Sequence, residues 1–124
     1  MGTGVNEFIF FPNGNMTMLG TLTENSDRNT KEAITAVDPG DILAKVSALP
    51  IATWRRKGDP VTHLGPMAQD FSATFGLGIN DRTIASVDMA GVSLAAIQAL
   101  NAENEALKAR LAELEKVVAA LVDP

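Results

Sequence analysis

The 124-residue sequence predicts an α+β chain. We expect short β-strands at the start, a small mixed α/β domain in the middle and a long C-terminal helix that forms a parallel coiled coil. Three observations support this fold class: an aromatic extended segment followed by a turn signal, alternating helical and strand patterns in the middle, and apolar residues that recur every seven positions towards the end. The expected segments are residues 1–25, 26–88 and 89–124.

The first segment has the pattern of a β-hairpin. Residues 7–11 are mostly aromatic, PNGN at residues 12–15 is a turn signal, and residues 16–22 continue as a second strand. Because a two-stranded hairpin is marginally stable alone, we expect it to pair with other chains or with an upstream part of the protein. Residues 1–4 lack the regions of a signal peptide, and we interpret them as the artificial start of a fragment of a longer protein.

The middle segment alternates helical and strand signals. Asp38 is a good N-cap, and Pro39 suits the first position of a helix. Gly76 is expected to end a later helix. In chain order we predict a helix over residues 40–48, a strand over 51–56, a helix over 66–75 and a strand over 83–87.

The last segment carries a heptad repeat, in which seven of the eight a and d positions are apolar. The a positions are Ile97, Asn104, Leu111 and Val118, and the d positions are Leu100, Leu107, Leu114 and Leu121. An amphipathic helix packed on its own domain is the alternative, but such a helix usually has a wider apolar stripe. The narrow stripe, kept for more than three heptads, favours self-association.

The charges beside this seam favour a parallel arrangement. Glu103 would face Lys108 of a neighbouring copy, and Arg110 would face Glu115, so that both pairs attract. Leucine at every d position favours a dimer, whereas the alanine-rich flanks favour a trimer, so the residues alone leave both open. Asn104 is interpreted as a residue that fixes the register, with a water or anion site on the axis as the alternative.

Composition excludes several classes of function. A net charge of -5 with dispersed basic residues makes a nucleic-acid partner unexpected. Without cysteine, and with His63 as the only histidine, we expect neither a metal site nor a cofactor. No apolar run is long enough to span a membrane. His63 is interpreted as structural, and Trp54 with the basic run at residues 55–57 as a core aromatic beside solvated charges rather than a ligand surface.

Ser26 and Lys31 form a candidate catalytic pair in a polar stretch, SDRNTK at residues 26–31. A serine hydroxyl needs a base, and a lysine can be that base only when it is neutral, which burial inside an oligomer would favour. Asp27 and Glu32 would oppose this, and Arg28 would assist it. By itself the spacing is a weak signal, and an N-cap serine beside a solvated lysine is the commoner interpretation.

Four motifs resemble those of the endosialidase-type intramolecular chaperone domain of phage tail spikes and fibres. They are SDRNTKE, which resembles the SDxxxKE signature, LPIATW at residues 49–54, GPMAQDF at 65–71 and VDMAGV at 87–92. FPNGNMTMLGTLTENSD, from residue 11, is similar to the run that often precedes the domain. Thr30 departs from the family pattern, which usually has an apolar residue there, and so does Thr53, where tyrosine is frequent.

The resemblance implies a trimer that helps an upstream fibre or spike domain assemble and then cuts itself before the serine. Residues 1–25 would then be the end of a fibre stalk. The scissile bond would join Asn25 to Ser26, with Ser26 as nucleophile and Lys31 as general base. The expected location is the virion tail, or the bacterial host cytoplasm during assembly, with a prophage origin as an alternative. A structural tip that never cuts is the competing hypothesis, and receptor binding ranks last because aromatics are few.

Overall fold

A computed structural model describes residues 8–122 of the chain. The chain divides into two compact units, one ending at Thr35 and the other beginning at Ala36. The predicted mixed fold is confirmed at the level of a small α and β chain with two small antiparallel sheets and a long C-terminal helix. The boundaries predicted at residues 25 and 88 stay predictions.

The first unit contains a short β-hairpin. Strand β1 (Phe8–Phe10) pairs antiparallel with strand β2 (Met16–Met18). The turn between them is closed by a hydrogen bond from the amide of Phe11 to the carbonyl of Asn15 at 2.9 Å, and Gly14 supplies the positive φ of 90° that the turn requires. The hairpin was predicted, but both strands are shorter than expected, and residue 7 lies outside the described residues.

Helix α1 (Pro39–Ala48) opens the regular structure of the second unit and confirms the predicted helix. The carboxylate of Asp38 accepts a hydrogen bond from the amide of Gly40 at 2.9 Å, which satisfies one of the free N–H groups of the first turn. Pro39 occupies the first turn, where its missing N–H has no cost.

Strands β3 (Ala52–Trp54) and β4 (His63–Gly65) form the second antiparallel sheet, in which Trp54 lies opposite His63. The prediction placed a strand over residues 51–56, of which only the central part is extended in a ladder. Strand β4 was not predicted. It carries three residues without an alternating apolar pattern, and it is defined by its pairing with β3 rather than by its own sequence.

Helix α2 (Ala68–Phe75) confirms the predicted second helix. Gly76 ends it in the left-handed conformation at φ 65°, as expected of a C-terminal glycine, and its amide donates to the carbonyl of Ser72. Phe71 is buried and its ring contacts that of Phe75, with the centroids 4.9 Å apart.

Helix α3 (Ser86–Val122) is the dominant element of the second unit. It corrects the strand predicted at residues 83–87, because no ladder forms there and the helix has already begun at Ser86. Asn80 accepts hydrogen bonds from the amide of Arg82 and the hydroxyl of Thr83, both at 2.9 Å. These bonds hold the start of the segment in a turn, and they outweigh the β preference of its branched residues.

The core of the second unit lies where α1 packs against the first part of α3. The buried residues of α3 are Val92, Ala96 and Ala99, which share one face of the helix. Two of the three are alanines, so the helix backbones can approach closely. Beyond residue 100, every described residue of α3 is exposed.

Candidate active site

A short 3-10 helix, Arg28–Thr30, builds the candidate site in the first unit. Asp27 is its N-cap: the carboxylate accepts hydrogen bonds from the amide of Asn29 at 3.0 Å and from the Asn29 side chain at 3.1 Å. The amide of Lys31 donates to the carbonyl of Arg28 at 3.2 Å and closes the turn. The chain therefore reverses between Ser26 and Lys31.

This turn brings the two predicted catalytic side chains together. Lys31 Nζ and Ser26 Oγ lie 2.6 Å apart, within hydrogen-bonding distance, with the amine donating as drawn. A nucleophile and its base need this separation for direct proton transfer. Both residues are exposed to solvent in the single chain. The geometry of a serine–lysine pair is thus present, without the burial that a neutral lysine would require.

The charged neighbours of the pair form no ion pair with Lys31 among the described residues. The carboxylate of Asp27 is occupied by Asn29, as described above. Among the described residues, Lys31 forms no ion pair with either Asp27 or Glu32, and Arg28 forms none at all. The amine of Lys31 therefore has the serine hydroxyl as its hydrogen-bond partner.

Two further residues contribute hydrogen bonds to this site. From the sequence, Asn25 was expected only as the residue before the scissile bond, and Thr30 was noted only as a departure from the family pattern. The Asn25 side chain accepts from the amide of Asp27 at 2.9 Å and donates to the hydroxyl of Thr30 at 3.3 Å. That hydroxyl donates in turn to the carbonyl of Asp27 at 2.8 Å. The signal was present, because asparagine commonly bonds the backbone amide two residues on.

The predicted oligomerisation residues lie together along α3 and are all exposed. They are Ile97, Leu100, Asn104, Leu107, Leu111, Leu114, Val118 and Leu121. At about 100° per residue, this seam is rotated by roughly 100° from the face that packs on α1. The single chain therefore leaves the seam uncovered.

Trp54 and His63 pack together, with ring centroids 5.1 Å apart, and the guanidinium of Arg56 lies over the Trp54 ring, also at 5.1 Å. Arg56 is exposed, as expected of a solvated charge, and its guanidinium also contacts the aromatic ring. The Trp54 indole nitrogen is buried without a hydrogen-bond partner among the described residues. His63 is part of this packing and distant in sequence from the serine–lysine pair.

Within residues 8–122, no group of three or more His, Cys, Asp or Glu side chains is placed to hold a metal ion. None of the helices in that range combines the length and apolar character needed to cross a membrane.

Comparison with known families gives one match to part of the chain. The family model described as the chaperone of endosialidase, a peptidase family, matches residues 26–76. The resemblance inferred from the motifs is confirmed over this range, which is similar to the endosialidase-type chaperone domain. The match begins at Ser26 and includes three of the four motifs, while VDMAGV and the heptad repeat lie beyond it. No curated protein matches the chain.

Proposed function

We propose that this chain is an intramolecular chaperone that drives homotrimerisation of a phage tail fibre or spike and releases itself by autoproteolysis between Asn25 and Ser26. The observation that carries the proposal is the 2.6 Å contact between Lys31 Nζ and Ser26 Oγ at the first residue of the matched domain. Its partners would be two further copies and the upstream fibre domain. The proposed location of the parent protein is the virion tail, or the host cytoplasm during assembly.

The proposed reaction is an acyl transfer. Neutral Lys31 takes the hydroxyl proton of Ser26, and Oγ attacks the carbonyl carbon of Asn25. The carbon–nitrogen bond breaks as the lysine ammonium returns that proton to the Ser26 nitrogen. The product is an ester from the Asn25 acyl group to Ser26 Oγ, beside a free amine. Water then hydrolyses the ester, which leaves a carboxylate on Asn25 and the hydroxyl on Ser26.

Assembly would switch this reaction on by removing water from the pair. A charged amine cannot accept a proton, and desolvation favours the neutral form. Since Ser26 and Lys31 are both exposed in the single chain, we expect a neighbouring copy to supply the covering surface. Cleavage should therefore depend on protein concentration. A cleavage rate that is equal in monomer and oligomer would contradict this coupling.

The exposed seam of α3 supports self-association. Beyond the core, the helix continues for about 33 Å with leucines and valines open to solvent, which is unfavourable without a partner. In the single chain, Lys108 bonds Glu105 of its own helix at 3.3 Å, so the pairing expected with Glu103 of a neighbour would have to compete with this contact. An exposed ion pair of this kind contributes little to stability, so replacing the contact with Glu105 by one with Glu103 of a neighbour costs little free energy. The choice of three strands rests on the family resemblance.

Mass measurement tests the proposal directly. We expect intact mass of freshly made wild-type protein to show a fragment that begins at Ser26, while native mass shows a trimer. Ser26→Ala and Lys31→Ala should stay intact and still assemble. Lys57→Ala, which removes a lysine of the second unit, is the control and should cut like wild type.

Hydroxylamine distinguishes the ester route from direct attack by water. If the ester forms, added hydroxylamine should speed fragment release and leave a hydroxamate on Asn25. A wild-type trimer that remains a single intact band would instead support the structural tip that never cuts.

A further inference from the structure

The side chain of Asn25 is bonded at both of its polar atoms, although the residue is exposed. Its oxygen accepts from the amide of Asp27 at 2.9 Å, and its nitrogen donates to the hydroxyl of Thr30 at 3.3 Å. An exposed asparagine side chain can bond water in many orientations. Because both polar atoms of Asn25 bond the protein instead, its side chain is held in one orientation.

The first of these bonds encloses the bond that would be cut. A hydrogen bond from the Asp27 amide to the Asn25 side-chain oxygen closes a ring of atoms, and that ring contains the carbonyl carbon of Asn25 and the nitrogen of Ser26. The ring restricts rotation on both sides of this peptide plane. The side chain of Asn25 therefore sets how the peptide plane between Asn25 and Ser26 is tilted towards the Ser26 hydroxyl.

Thr30 joins this ring to the turn that carries the base. Its hydroxyl oxygen accepts from Asn25, and its hydroxyl proton goes to the carbonyl of Asp27 at 2.8 Å. Thr30 directly precedes Lys31, whose amine contacts Ser26 at 2.6 Å. The acyl side of the scissile bond and the base are thus held by one local network.

We infer that Thr30 is a positioning residue for self-cleavage and that it acts through the side chain of Asn25. The hydrogen bond between Thr30 and Asn25 would then favour asparagine at the position before the scissile bond. The inference rests on the proposed autoproteolysis. An apolar side chain at position 30 would occupy similar space but supply neither the acceptor for Asn25 nor the donor to Asp27. In catalysis, a small misplacement of the reacting groups costs rate even where the fold is kept.

Substitutions at Thr30 test this in the assembled chain, with cleavage followed by intact mass and assembly by native mass. Thr30→Val, which keeps the shape and loses the hydroxyl, should cut about tenfold more slowly. Thr30→Ser, which keeps the hydroxyl, should cut within about threefold of wild type. Thr21→Val is the matched control, because the Thr21 side chain makes no hydrogen bond among the described residues.

Two further readouts separate positioning from general destabilisation. Since Thr30→Val does not remove the base, the rate should fall at every pH without a change in the shape of the pH profile. In an Asn25→Ala background, which already lacks the shared bond, Thr30→Val should slow cleavage by much less than in wild type, because the two effects are not additive.

The possible outcomes distinguish the two claims. If wild type cuts, Ser26→Ala does not, and Thr30→Val trimers cut as fast as wild type, the role of Thr30 is overturned and the proposed function stands. A full tenfold loss on Thr30→Val in the Asn25→Ala background overturns action through Asn25. A wild-type trimer that never cuts overturns both the proposed function and this inference.

Discussion

Truncation of one seam leucine tests whether α3 holds the copies together. Leu114 lies at a d position near the middle of the exposed part of the helix, about four turns beyond Ala99, the last buried residue of α3. Leu114→Ala should leave the fold of the single chain intact, because the Leu114 side chain is mostly exposed in it. Its cost should fall entirely on assembly.

The size of the effect follows from the exposure of this side chain. Full burial of a leucine contributes about 2 kcal/mol, and 59% of Leu114 is still exposed in the single chain, so covering it contributes about 1 kcal/mol per copy. The three Leu114 side chains of a trimer together then contribute about 3–4 kcal/mol. Losing this contribution should lower the trimer association constant roughly 300-fold. Because this constant varies with the square of concentration, the concentration at half assembly should rise roughly 15–20-fold.

Sedimentation equilibrium over a dilution series measures this midpoint. Lys116→Ala is the control, since Lys116 lies two residues away at the f position on the far side of the helix and should shift the midpoint by less than about twofold. At concentrations between the two midpoints, Leu114→Ala should also cut more slowly than wild type. Equal midpoints for wild type and Leu114→Ala, or an equal loss in Lys116→Ala, would refute the assignment of the seam.

Two other substitutions give expectations of different kinds. Asn104→Leu should stabilise the assembly by about 1 kcal/mol per chain, measured by thermal unfolding with circular dichroism. It should also give a mixture of oligomeric states in native mass measurements. A single unchanged oligomeric state would count against a register role for Asn104. Asp38→Ala should destabilise the second unit by about 1 kcal/mol in thermal unfolding through loss of the N-cap bond to Gly40, with Asp38→Ser restoring most of it, and equal melting of all three chains would contradict that.

The sequence predicted best the elements whose ends are set by local chemistry. Helix α1 begins where Asp38 and Pro39 indicate, and α2 ends at Gly76, because capping bonds depend on residues within one turn of each other. The approach of Ser26 and Lys31 was also predictable, since the turn between them is built from bonds spanning at most five residues.

Elements that depend on a distant partner were missed or misplaced. Strand β4 exists through its ladder with β3, which no local pattern encodes. Residues 83–87 have β-branched character, but the turn bonded by Asn80 and the start of α3 determine their conformation.

The contact between Ser26 and Lys31 is built locally, and this bears on what would control the timing of the proposed cleavage. Among the described residues, every side-chain hydrogen bond of Asn25, Ser26, Thr30 and Lys31 lies within the turn itself, so the single chain already holds the pair in contact. In the proposed mechanism, assembly therefore does not have to build the site. What a solvated turn lacks is a dry environment in which an amine loses its proton, and only a neighbouring surface supplies that. Control by protonation rather than by alignment explains how a short exposed turn could remain uncut in a single chain and cut once the copies have joined.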